Sequence, residues 1–269
     1  MNPNVKPYYD EYNDLWGLPQ TYKNIKFYPI KLADTKFYTL FHKLFTYPKN
    51  YIPDKNILKM GYLKYLLYVI QNAINPDGDE LSGDIIEFLN YITKRDDTNI
   101  TWETNDNFEG LDKIAFKIII NGVNLDENDF DNIREIVLEQ NGLSIEYIEG
   151  YNPGLEEKLN FVMKDSNSIN LQDEIFTFCA FMSVNINAIK SYTIYQFRKL
   201  MERIAIIKEY DIYKPLEVSG QIKLKNGEIK HWLSHTPKLG RYHSIMIEKE
   251  KFLGDSGLNN ASGNDGIIK

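Results

Sequence analysis

Residues 170–232, NLQDEIFTFCAFMSVNINAIKSYTIYQFRKLMERIAIIKEYDIYKPLEVSGQIKLKNGEIKHW, carry start signals, core pattern and turn chemistry that agree with one another. Within them Tyr192-Thr193-Ile194-Tyr195-Gln196-Phe197 opens a helix. Thr193 can cap the amide of Gln196, the Gln196 side chain can return to the cap, and Tyr192 can staple onto Phe197. Phe197, Leu200, Met201, Ile204 and Ile207 recur at three- and four-residue spacing, with Arg198, Lys199, Glu202 and Arg203 on the other side. Beyond Ile204, the residues Ala205, Ile206, Tyr210, Ile212 and Tyr213 spread apolar surface around the helix, which places that end between neighbours. Pro215 is expected to stop it.

The preceding helix, about 171–184, has Asn170 as its cap and Asp173 and Glu174 in its first turn, where carboxylates oppose the helix dipole favourably. Its body, 175–182, is apolar nearly all round yet far short of the roughly 20 residues a bilayer needs. It reads as the buried central helix of a domain, with Cys179 a core thiol whose thiolate the apolar setting suppresses. After Pro215 the period becomes two, and Asn226-Gly227 is the signal for a two-residue hairpin. Counting outward from it puts Ile222, Leu224, Ile229 and His231 on one face and Lys223, Lys230 and Trp232 on the other.

Upstream, residues 1–22 are rich in Tyr, Asn and Pro without period and read as an irregular arm. Residues 25–30 read as a short strand, with Pro29 arguing for an edge. Helices are expected over 34–45, with His42 outside the apolar stripe as a surface histidine, over 57–70, and over 84–94 from a Ser82 cap. The acidic loop at 75–80 lacks the spaced oxygens of a calcium loop and reads as a solvated turn. Strands follow at 99–103 and 113–120. Asp126, with Asp129 three on and Leu125 placed to staple onto Phe130, then starts a helix that ends at Asn141-Gly142. A further helix rests on Leu155, Leu159 and Val162. The fold class is α+β, predominantly helical with short antiparallel strands and a C-terminal hairpin around Asn226-Gly227. The expected organisation is an arm (1–22), an α+β domain (23–150), a helical domain with the hairpin (151–253), and a tail (254–269) too polar to fold.

The chain of 269 residues is 43% hydrophobic and 13% aromatic, enough for one large core or two modest ones. A net charge of -7 argues against a general nucleic-acid binder, which needs clustered cations for phosphates. One cysteine excludes an internal disulfide framework and a cysteine-built zinc site, and fits a reducing compartment. No apolar leader follows Met1, and Lys59 and Lys64 interrupt the most apolar helix, so the expectation is a cytoplasmic protein without a membrane span.

No phosphate-binding glycine loop and no G-x-S-x-G elbow is present, and the expectation is a protein without catalytic residues or cofactor. The competing chemistry is a metal-dependent hydrolase or nuclease. His231, His235 and His243, with Asp255 beyond, supply three imidazoles at a spacing that matches no standard zinc motif. Surface aromatics and cations are the candidates for partner binding: Tyr8, Tyr9, Tyr12 and Trp16 on the arm, with Trp232 and Arg241.

The order of segments NIKFYPIKLAD, ILKMGYLKYLLYVI, FDNIREIVLEQNG, YTIYQFRKLMERI and YKPLEVSGQIKLKNGEIKHWLSH resembles small proteins of tailed-phage morphogenesis modules, most of all tail-assembly or baseplate-hub assembly chaperones. The resemblance is one of pattern across most of the chain. It implies a non-catalytic role in the host cytoplasm, binding a tape-measure, tail or baseplate component. A structural place in the virion is the alternative it leaves open, and it transfers no individual binding residue.

Overall fold

The computed structural model describes residues 9–52, 54–70, 80–104, 114–163, 171–220, 231–234 and 240–242. The Asn226-Gly227 hairpin, the acidic loop ahead of Glu80 and the tail from 254 lie outside the described residues. The architecture is α+β and predominantly helical, with two small antiparallel sheets.

The arm is more ordered than its composition implied. Asp10 caps a helix, Glu11–Trp16, by accepting from the Tyr12 amide at 2.9 Å. It is followed by β1 (Gln20–Tyr22), which pairs antiparallel with β2 (Ile25–Phe27). Lys23 and Asn24 form the connecting turn at φ 45° and 63°, the two positive values a type I′ hairpin requires. Tyr22 and Lys23 of this turn hold Asp129 from the Glu127–Gln140 helix at 2.8 and 2.7 Å. Their hydrogen bonds keep the Asp129 carboxyl below the usual carboxylate range, against the opposing effect of burial.

The second sheet has order β3 (Asn99–Thr104), β4 (Ile114–Ile120), β5 (Val123–Leu125). The β4–β5 turn is Asn121-Gly122, with φ 54° and 72°, the same dipeptide as Asn226-Gly227. Ile118, Ile120 and Leu125 turn one face of this sheet into the core, where they meet a cluster of rings. Phe45 of the Thr35–Phe45 helix sits 5.0 Å from Phe88 and 5.9 Å from Phe130, centroid to centroid. Tyr62, Tyr65, Phe41 and Ile133 complete the cluster.

Several expected helices shift for local reasons. The 57–70 helix is divided: Lys55–Lys59 ends where Met60 takes extended backbone with ψ 144°, and Tyr62–Lys64 then widens into a π-helix, Tyr65–Ile70. The next helix is Glu80–Thr93 and begins ahead of Ser82, with buried Leu81 already packed. Asp126 and Asp129 form the reciprocal box expected of them, and so do Thr193 and Gln196 at the head of the Ile194–Val218 helix. That helix continues through Pro215, where an i−4 hydrogen bond is forfeited, and stops only at Gly220 with φ +73°.

The largest correction concerns Leu171–Met182. It is not enclosed: Phe178 alone is buried, Leu171, Ile175 and Cys179 flank it at helical spacing, and Phe176 is 61% exposed. Its apolar character runs right round the helix, but only one stripe faces the core. Likewise the far half of the Ile194–Val218 helix leaves Ile212 and Tyr213 exposed instead of sandwiched.

His42 is half-buried, not a surface residue. Its ring meets Tyr38 edge-on at 4.6 Å and Phe41 at 5.1 Å. Burial, with help from Arg198, pushes its pKa down to about 4. A histidine depressed in this way stabilises the fold above its unfolded value of roughly 6.5, and that contribution is lost as pH falls through the window down to about 4. Relative to His42→Gln, the wild type should therefore lose on the order of 1–2 kcal/mol between pH 7 and pH 4, less than the full shift implies because the ring is partly solvated. Urea midpoints of both proteins across that range measure it.

Candidate functional site

The site is built where the stretch after β2 meets the head of the Ile194–Val218 helix. Among the orphan donors of the Ile194–Val218 helix, the Ile194 amide finds the carbonyl of Ile30 at 3.0 Å, and the Leu32 amide finds that of Tyr192 at 2.8 Å. These two bonds frame an antiparallel bridge between Lys31 and Thr193. The arm is seated on the same capping box: Gln196 Nε2 donates to the carbonyl of Leu15 at 2.9 Å. Gly17, at φ +65°, ends the arm helix so close that a Cβ there would lie 3.0 Å from Thr193 Cγ2. One device thus caps a helix and docks the arm.

Beside this seam opens a cleft of about 1090 Å³. Its aromatic lining comes from four segments: Trp16 of the arm, Tyr28 after β2, Tyr91 near the end of Glu80–Thr93, and Tyr192 and Tyr195 at the capping box. Leu15, Trp16 and Leu18 on its rim are 52%, 70% and 50% exposed. Tyr91 donates to the Asp34 carboxylate, and burial, reinforced by that bond, raises its phenol well above the usual range. Burial raises Tyr195 as well.

Four cations line the cleft, against two carboxylates. Lys199 is engaged by Glu202 at 2.8 Å, and Arg203 donates to the carbonyls of Trp232 and Ser234 at 3.1 and 2.8 Å. Lys94 lies 4.1 Å over the Tyr28 ring. Neither Lys94 nor Lys31 has a carboxylate partner among the described residues. The arrangement therefore offers flat aromatic surface, apolar rim and two ammonium groups without a carboxylate partner among the described residues, a composition suited to binding.

The residues singled out in the sequence are dispersed. Trp16 reaches the cleft, and Tyr12, 73% exposed, lies on the same arm helix. Tyr9 points inward, bonded to Asp14, whose carboxyl burial pushes up to about 6. Tyr8 lies outside the described residues. Trp232, 42% exposed, stacks on His231 at 5.1 Å, and its carbonyl accepts from Arg203. Arg241 is committed within the chain: it grips Glu156 with two bonds, 2.9 and 2.8 Å, beside the rings of Tyr147 and Tyr151.

His231 is solvent-exposed, contrary to the face expected for it, and its Nδ1 accepts from the Leu233 amide at 3.1 Å. His235, His243 and Asp255 lie outside the described residues. Among the described residues no group of three His, Cys, Asp or Glu side chains is placed to hold a metal ion. No helix among them is long and apolar enough to cross a membrane.

Leu18, Tyr28, Lys31, Tyr91, Lys94 and Tyr195 were not legible as site residues, because they come from four segments far apart in the chain and nothing local marks them. A usable sign was Thr193-Gln196 with an apolar, Trp-bearing arm still unplaced.

A family model described as the YomV second domain matches residues 163–237. That family is phage-associated, which is consistent with a phage protein and silent on any particular step of assembly. No curated protein and no solved structure matches the chain. The matched segment contains the capping-box wall of the cleft, while the arm, Tyr28 and Tyr91 come from outside it.

Proposed function

We propose that this protein is a phage-encoded, non-catalytic assembly factor that holds a phage structural protein, a tape-measure, tail or baseplate component, in the cleft beside the Lys31–Thr193 bridge. The observation that carries the reading is the coincidence of a phage-associated domain match over 163–237 with an aromatic, apolar-rimmed cleft formed partly by that segment. Exposed Trp16 with exposed Leu15 and Leu18 beside it is an apolar patch of the kind that marks a protein-binding surface, with a tryptophan, a residue enriched in hot spots, at its centre. The overall pattern of the sequence, which resembles tail and baseplate chaperones, points the same way.

The test is co-expression of the protein with the tail and baseplate proteins encoded beside it, followed by size-exclusion chromatography. A complex with one of them is expected. Since Trp16 and Leu18 are exposed, Trp16→Ala with Leu18→Ala should leave the fold intact and weaken that complex at least tenfold, the loss of a typical hot spot of about 2 kcal/mol. No co-elution with any structural protein overturns the reading. Stoichiometric retention in purified particles makes the protein a structural component of the virion instead.

A further inference from the structure

We propose that the segment gripped by the cleft is an acidic, apolar-flanked peptide: its carboxylates pair with Lys31 and Lys94, and its apolar side chains lie against Trp16, Leu15 and Leu18. This rests on the assembly-factor reading and adds the chemistry of the partner. The argument is one of charge complementarity. The protein as a whole carries a net charge of -7, so its surface repels acidic chains in general. The cleft reverses that sign locally, because four cations line it against two carboxylates, Glu202 paired with Lys199 and Asp34 accepting a hydrogen bond from Tyr91. Arg203 is spent on two backbone carbonyls. Lys31 and Lys94, set in different segments of one lining, are the lining cations with neither a carboxylate nor a hydrogen-bond acceptor among the described residues.

Their surroundings select among anions. Lys94 stands over the Tyr28 ring, so its ammonium group is presented beside aromatic surface, and Lys31 lines the same cleft from another segment, so the two do not form a basic stripe. A nucleic-acid strand meets successive phosphates with a track of cations. Here only two of the four cations are without a carboxylate or carbonyl partner, Asp34 and Glu202 sit among them, and the rim is leucine and tryptophan. A peptide with one or two carboxylates next to leucine, isoleucine or phenylalanine satisfies both features together. It also explains specificity: carboxylates fix the register by direction and salt-sensitive attraction, while the rim supplies contact area.

The test uses the full chain against an array of overlapping 15-residue peptides covering the tail and baseplate proteins encoded beside it. Each peptide that binds is resynthesised with fluorescein and titrated by anisotropy. Bound peptides are expected to carry Asp or Glu adjacent to large apolar residues. Replacing those acids by Asn and Gln should weaken binding at least tenfold, and so should Lys31→Glu with Lys94→Glu. Both lysines are exposed, so circular dichroism of the double variant should match the wild type. Affinity should fall further as sodium chloride rises from 50 to 500 mM.

The proposal is overturned if the bound peptides lack carboxylates, if the charge-reversed protein binds them unchanged, or if a fluorescein-labelled oligothymidylate competes at lower concentration than the peptides. Peptides from the chain's own residues 254–269 belong on the same array, and displacement of every partner peptide by them identifies the tail as occupant and likewise overturns it. An intact structural protein that co-elutes with wild type and with the charge-reversed variant alike sinks this inference and spares the assembly-factor reading. Failure of any structural protein to co-elute sinks that reading first.

Discussion

Arg134→Met is expected to destabilise the fold by about 3–5 kcal/mol, the loss typical when one partner of a buried ion pair is removed. Arg134 is 3% exposed on the Glu127–Gln140 helix. Every part of its guanidinium is used. Nη1 holds Glu149 at 2.7 Å, Nε and Nη2 donate to the carbonyls of Phe45 and Tyr47 at 3.2 and 3.3 Å, and the group lies 3.5 Å over the Tyr62 ring. Methionine fills much of the volume, so the loss read from urea midpoints reports unmatched polar groups more than a cavity. Lysine retains the charge but lacks the planar fork, and Arg134→Lys should recover less than half of the loss. A change below about 1 kcal/mol for Arg134→Met would show that the three elements it joins are held by apolar contacts alone.

Phe45→Ala is expected to cost about 3–5 kcal/mol, the range for truncating a buried phenylalanine. Phe45 is fully buried at the centre of the ring cluster, with Phe41, Phe88 and Phe130 around it. The void would be bounded by three helices, each fixed by its own capping or polar ties, so it has little freedom to collapse. Phe176→Ala is the contrast. That ring is 61% exposed, and a change within about 0.5 kcal/mol is expected for it. A thermal scan and a urea titration of the two variants side by side measure the difference; equal losses would mean that Leu171–Met182 is covered in solution.

That pair of residues also marks where a single sequence stops being informative. Phe45 and Phe176 are both phenylalanines in apolar helices, and hydropathy treats them alike. What separates them is which stripe meets a neighbour, and that is settled by tertiary assembly. The capping boxes at Asp126 and Thr193 were legible because they are complete within four residues. The Lys23-Asn24 turn was not, since lysine gives no hint of positive φ and only Asn24 carries the signal. Arg134 does carry a sign in the sequence. It lies four residues after Phe130 and three before Val137, on the core stripe itself, and a cation at such a position calls for a buried carboxylate. As for the cleft, only Trp16 among its lining was marked in advance, and the walls converge through backbone hydrogen bonds that no periodicity encodes.

The Lys31–Thr193 bridge has a consequence for synthesis. At roughly 5–20 residues per second, the second half of that pairing leaves the ribosome on the order of 10–30 s after the first. Throughout that delay the Ile30 carbonyl and the Leu32 amide have no mate, and Leu15, Trp16 and Leu18 ride on a nascent chain with no wall to shelter beside. The cleft therefore comes into being late, when the closing helix arrives and supplies its last wall.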